Sequence, residues 1–174
     1  MRITLKVVFV SALCLAFAVT AMAQEMVNFK KLQEFLPKIE LSGYTKGKPG
    51  GETTKAFGMA ASEATLRYKK SEESGIEVKI SDTAGVPMAA MGLAMVGMTE
   101  YENETENGYE KTIKVLGFPG TEKVDRGEYK SAEISIVVAK RFMVELNCEG
   151  CDDIANLKKL VESMDLGGLA KLAN

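Results

Sequence analysis

Apolar residues fall on even positions through one stretch of the chain: Ile134, Ile136, Val138, Phe142, Val144 and Leu146. A period of two places all six on one face of a β-sheet. Lys140 and Arg141 interrupt the run. A three-residue loop, Ala139-Lys140-Arg141, keeps both rows on the same face by pairing Val138 with Phe142 and Ile136 with Val144. A two-residue loop at Lys140-Arg141 would set Ile136 against Glu145 and fails that test. No Gly or Asn is present to take a left-handed conformation, so one long bent strand is the alternative to the hairpin. A second hairpin is carried by Ala64, Leu66 and Tyr68 followed by Ile76, Val78 and Ile80, with Tyr68 opposite Ile76 and Leu66 opposite Val78. Phe57, Met59 and Ala61 sit on odd positions instead, which predicts a bulge or bend near Ser62.

Elsewhere the alternation is weaker. Tyr109, Lys111, Ile113 and Val115 predict a half-buried strand, with a turn expected at Phe118-Pro119-Gly120. Residues 121–124 and 128 onward read as two more strands joined through Asp125-Arg126-Gly127. Residues 100–108 carry a Glu on every even position from Glu100 to Glu106 and read as a solvated connector or edge strand. Asn103-Glu104-Thr105 matches a glycosylation sequon, which matters only in a host that modifies such sites.

Three segments change to helical spacing. Phe29, Leu32 and Leu36 form a stripe over residues 27–36 that Pro37 ends. Ile154, Leu157, Leu160, Val161 and Met164 form another, with Asp152 or Asp153 as cap and Gly167-Gly168 as its expected end. Leu169 and Leu172 then suggest a short tail packing back on the body. The third segment, residues 86–98, has Pro87 in its first turn and Met88, Met91, Met95 and Met98 on one narrow stripe. No charged residue lies between Asp82 and Glu100. A core helix built from adaptable methionines is the plain reading. The alternatives are a partner-binding face and thioether ligation of a soft metal such as Cu(I). Met88, Met91 and Met95 are expected against the sheet or a pocket, with Ala90, Ala94 and Gly97 accessible. Met88, Met91, Ala94, Met95 and Met98 are therefore the candidate binding face for an unknown protein or small apolar ligand, and a membrane-surface contact is a weaker option.

Together these elements predict an α+β domain: a mainly antiparallel sheet of about six or seven strands covered by two or three helices. The even apolar rows would face the helices. No internal repeat or low-complexity tract interrupts the chain.

Composition narrows the function classes. Residues 1–23 read as a signal peptide: Arg2 and Lys6, an apolar run over 7–19, and Ala21-Met22-Ala23 as the cleavage site. Residues 24–174 are then a single exported domain, periplasmic or extracellular. Removing Arg2 and Lys6 from the 22 basic residues leaves 20 against 24 acidic, so nucleic acid is not an expected partner. The chain has no histidine and no tryptophan. That removes Ser-His-Asp and Cys-His catalysis, His-ligated zinc and histidine acid–base work. Carboxylate chemistry survives only in principle, because Asp and Glu are scattered without a paired motif. No catalytic residue and no cofactor is assigned. The Gly-rich stretch 42–51 has Pro49 after Gly47-Lys48, where a phosphate loop needs Ser or Thr, and reads as a surface loop.

Of the three cysteines, Cys14 lies in the signal segment, and Cys148 and Cys151 form a CxxC turn. In an oxidising compartment such a pair defaults to a disulfide. A thiol just ahead of a helix N-terminus also has a lowered pKa, the setting of redox-active pairs. Asn147-Cys148-Glu149-Gly150-Cys151 resembles the metal-binding loop of heavy-metal-associated domains, which implies copper or zinc at the two thiols. Those domains continue for several elements after the pair, whereas 23 residues follow Cys151 here. A broader resemblance covers the order of elements: an export signal, a helix ending at Leu36-Pro37, a sheet, and the unit from Ser135 to Leu146 before a last helix resemble small exported PsbP-like α/β sandwich proteins. That resemblance implies a non-catalytic binding or accessory role and carries no site residues. The expectation is an exported, non-enzymatic binding or accessory protein. The alternative is a periplasmic thiol-redox or soft-metal handling protein using Cys148, Cys151 and the methionine helix.

Overall fold

The structure is a computed structural model that describes residues 25–56, 59–84 and 100–173. The expected signal peptide and the methionine helix, including Met88, Met91, Ala94, Met95 and Met98, lie outside the described residues.

Among the described residues nine strands, more than the six or seven expected, form one antiparallel sheet. They are β1 (Thr45–Lys46), β2 (Gly50–Ala56), β3 (Met59–Lys69), β4 (Gly75–Asp82), β5 (Glu102–Thr105), β6 (Gly108–Val115), β7 (Phe118–Asp125), β8 (Ser131–Val138) and β9 (Phe142–Glu149). The order is β1-β3-β4-β9-β8-β7-β6-β5, and β2 also pairs with β3. Among the described residues the helices are α1 (Phe29–Leu32), continued by a 3-10 turn over Gln33–Phe35, then α2 (Ile154–Glu162) and α3 (Leu166–Lys171). The antiparallel sheet is as expected. The α+β balance is not: the described residues, nine strands with short helices, are mainly β.

Register follows the even rows. Leu66 pairs Val78, Val78 pairs Leu146, and Leu146 pairs Ile134. All four are 0–1% exposed and belong to the core that α2 and α3 complete with Leu157, Leu160, Val161, Leu166 and Leu169. The opposite face carries Arg67, Glu77, Lys79 and Glu145, with Lys79 Nζ 2.7 Å from Glu145 Oε2.

The hairpin at residues 139–141 forms with the expected pairs, Val138 with Phe142 and Ile136 with Val144. Ala139 and Lys140 adopt φ of 52° and 56° there despite their side chains. The burial of Arg141, discussed below, holds the loop in this shape.

Several boundaries depart from the sequence reading, each for a local reason. The bulge is not near Ser62; β3 pairs residue for residue with β2 from Met59 to Thr65. It lies on the partner side, where three residues, 47–49, oppose two, Leu66 and Arg67, between the pairs Lys46–Tyr68 and Gly50–Thr65. β1 and β2 are thus one interrupted edge strand, and the Gly-rich stretch is partly strand. Ser62 keeps its inward position because its hydroxyl lies 2.8 Å from the Thr53 hydroxyl. The first helix is shorter than residues 27–36, since Asn28 caps it and Val27 N is drawn off to Asp82 Oδ2 at 2.8 Å. The turn expected at Phe118-Pro119-Gly120 is instead Leu116-Gly117, both with positive φ as tight hairpin turns require. Pro119 lies inside β7, whose pairing with β8 begins only at Gly120. Gly167-Gly168 does not end α2, which stops at Ser163; it sits in the first turn of α3. Asp165 caps that turn through Gly168 N at 2.8 Å, and a Cβ on Gly168 would come within 2.2 Å of the capping carboxylate.

Candidate functional site

The disulfide end of the sheet is the first place where sequence-predicted residues meet. Cys148 and Cys151 are joined as a disulfide with Cα atoms 5.5 Å apart. Cys148 is an inward residue of β9, between Ile76 and Ala132, and is 0% exposed. The helix starts at Ile154 with Asp153 as its cap, so Cys148 is not at a helix N-terminus. That removes the helix-terminus setting expected of a redox-active pair. The turn between the cysteines presses on the β3–β4 hairpin. Gly150 has φ +65°, and a Cβ there would lie 2.4 Å from Glu73 O. Cys151 Sγ lies 3.8 Å from Gly75 O.

Beside this buttress is an open groove of about 650 Å³, within the range typical of ligand pockets. The bulged edge contributes Thr45 and Gly47, the hairpin contributes residues 67–77 in part, and β9 contributes Asn147 and Glu149. Two internal ion pairs occupy part of its charge, Arg67 with Glu77 at 2.5 Å and Lys69 with Glu72 at 2.7 Å. Glu73 and Glu149 also line it, so the groove is acidic on balance.

A second cluster forms where Lys158 of α2, which packs on β8 and β9, reaches Glu122 of β7. Glu122, 1% exposed, accepts from Tyr109 Oη at 2.5 Å and pairs with Lys158 Nζ at 2.8 Å, while Lys111 Nζ lies 4.0 Å away. Burial by itself would raise the Glu122 pKa. The hydrogen bonds from Lys158 and Tyr109, with the charges of Lys158 and Lys111, outweigh it and hold the carboxyl below its ordinary value. Tyr109 responds oppositely: burial first, then the Glu122 hydrogen bond and charge, push its phenol up to about 12. Arg126 stacks over the Tyr109 ring at 5.8 Å and lies 3.7 Å from Asp152.

A carboxylate with a depressed folded pKa stabilises the fold above its unfolded pKa, and that contribution is lost as pH falls through the folded value. Glu122 thus supports the fold fully above the ordinary glutamate value of 4.5 and progressively less below it. The Glu122→Gln variant is expected to lose stability at neutral pH and to show a flatter fall on acidification. Melting temperatures measured for both proteins between about pH 7 and pH 3 check this; parallel curves would refute it.

The third cluster is the buried pair Asp82–Arg141. Arg141 donates from Nε to Asp82 Oδ1 at 2.9 Å and from Nη2 to Oδ2 at 2.7 Å. It also holds Glu25 O at 2.7 Å and Leu172 O at 3.0 Å, tying both ends of the described chain to the β4 terminus. Every donor and acceptor in this pair has a structural partner.

The sequence reading missed Asp82, Glu122 and Arg141. Two of them carried a usable signal: Asp82 follows Ile80, and Glu122 precedes Val124, each in an inward row. A charge at an inward position is expensive unless paired, so it flags a buried network. Among the described residues, no group of three or more His, Cys, Asp or Glu side chains could hold a metal ion. None of the described helices is long and apolar enough to cross a membrane. Comparison with protein-family models, curated proteins and solved structures yields no significant match.

The disulfide closes a short loop, so its expected contribution is modest. Chain-entropy arithmetic for a four-residue ring gives about 2 kcal/mol. The Cys148→Ala/Cys151→Ala variant should lose about that much in urea denaturation, and the wild-type reduction potential should lie below roughly −300 mV. A potential near −200 mV would mark a labile pair instead.

Proposed function

We propose that the chain is an exported, non-enzymatic binding or accessory protein that uses the groove at the disulfide end as its contact site. The observation that carries this reading is the groove itself, walled by the bulged edge strand and by a hairpin that the Cys148–Cys151 turn props from behind. The N-terminal leader pattern and the disulfide support export. The buried charges Asp82, Arg141 and Glu122 are all engaged in structural bonds, which leaves them unsuited to acid–base work. The lining favours a polar, positively charged ligand, such as a basic peptide segment, over a small apolar one. Thiol-redox or soft-metal chemistry is the less favoured reading, because Cys148 is buried.

The test is an amide-shift titration of the folded protein with lysine-rich and glutamate-rich peptides. Lysine-rich peptides should shift Gly47, Glu73, Gly75 and Asn147, and the Glu73→Lys/Glu149→Lys variant should abolish the response. Equal, unlocalised shifts with both peptides would reject the groove as the site.

A further inference from the structure

We propose that the two edges of the sheet that no described strand pairs with are complementary and join copies of this chain head to tail. β1 and β2 form one interrupted row, so the sheet has eight rows from that edge to β5, and every neighbouring pair is antiparallel. With an even number of alternating rows, β2 and β5 run in opposite directions. A second copy placed beside the first in the same orientation therefore sets its β5 antiparallel to β2, with the same face of each sheet turned the same way. An odd number of rows would have made that junction parallel.

The charges fit the same arrangement. The β5 edge carries four glutamates between Glu100 and Glu106 and no cation, all exposed. The interrupted β1–β2 edge offers exposed Lys48, in the bulge, and Lys55, in β2, against Glu52. Face also matches. Glu102 and Glu104 pair with Lys111 and Tyr109, which pair in turn with Glu122 and Val124 on the helix side of the sheet. Lys55 pairs with Ala60, in the even row of β3 that continues through buried Ser62 and Ala64, so it lies on that side too. Across a β5–β2 junction the glutamate row and Lys55 come together on one face. Pairing β5 with β5 would instead oppose glutamates, the like-charge arrangement by which edge strands avoid self-pairing. A junction between two different edges is heterologous, so it extends into rings or open filaments instead of stopping at a dimer.

A ladder limited by the four residues of β5 is short, so assembly is expected to be concentration-dependent and weakened by salt. Sedimentation velocity of the wild-type protein at about 0.02 M and about 0.5 M salt should show oligomers growing with concentration only at low salt. Two exposed-surface variants sharpen the test. Glu102→Lys/Glu104→Lys takes the β5 edge from four negative charges to none and makes β5 itself basic, and Lys48→Glu/Lys55→Glu makes both edges acidic. Each alone should associate about tenfold or more weakly than wild type, and an equimolar mixture of the two should recover assembly. A wild-type protein that stays monomeric throughout, a closed dimer indifferent to the substitutions, or a mixture that fails to co-assemble would each overturn the proposal.

Discussion

Replacing Arg141 with methionine is expected to lower the unfolding free energy by about 3–5 kcal/mol, among the largest losses for any single change in this chain. Arg141 is 6% exposed and its partner Asp82 is 2% exposed, so the substitution leaves a buried carboxylate without its counter-charge. It also strands Glu25 O and Leu172 O, which the guanidinium holds at 2.7 and 3.0 Å. The bonds from Thr83 N and Oγ1 to the backbone Arg141 O, at 3.1 and 2.6 Å, survive the substitution, so the loss comes from the guanidinium that the left-handed Ala139-Lys140 turn places over Asp82. Urea denaturation with an unchanged m-value checks the magnitude. Asp82→Leu combined with Arg141→Met should cost less than the two single changes added together, because the pair fails as a unit. Strict additivity would show that the ion pair is incidental.

The same clamp explains why parts of the fold were legible in the sequence and others were not. The hairpins around Leu66–Val78 and Ile136–Val144 were readable because alternation with one buried face admits a single register, and a slip by one residue would expose every apolar side chain. The loop between β8 and β9 was ambiguous because its conformation is set by Asp82, 59 residues away from Arg141, and not by a local glycine. β2 left no trace in the pattern, since Gly-Gly-Glu-Thr-Thr-Lys-Ala has almost nothing apolar to alternate; its partner β3 supplies the order. Leu116-Gly117 was overlooked because Pro119-Gly120 is the stronger turn signal, yet Gly120 is needed for close approach of β8: a Cβ there would stand 2.3 Å from Ser135 O. At the candidate site, the cysteine pair was visible as a pair, while its depth was not, because Cys148 occupies an even position that reads equally as strand or turn. The groove beside it depends on the contact of Gly150 with Glu73, which no spacing rule encodes.

Alternation along β9 makes a pair of adjacent residues the most direct test of the register. Leu146→Ala is expected to cost about 3–5 kcal/mol, whereas Glu145→Ala, one residue away, should cost under about 1 kcal/mol. Leu146 is 0% exposed in the row Leu66–Val78–Leu146–Ile134, with hydrogen-bonded ladders to β4 on one side and β8 on the other. Those ladders keep the strands from closing in on the space a truncated side chain leaves, so the cavity penalty adds to the lost transfer energy. Glu145 projects to the other face, where it makes a partly solvated ion pair with Lys79 at 2.7 Å. Such pairs contribute little because water screens them and two long side chains must be ordered to form them. Denaturation curves for the two variants, compared at equal m-values, separate the faces. Comparable losses at both positions would mean that the face opposite the helices is also packed as core, and a reversed order would mean that β9 is shifted by one residue against its neighbours.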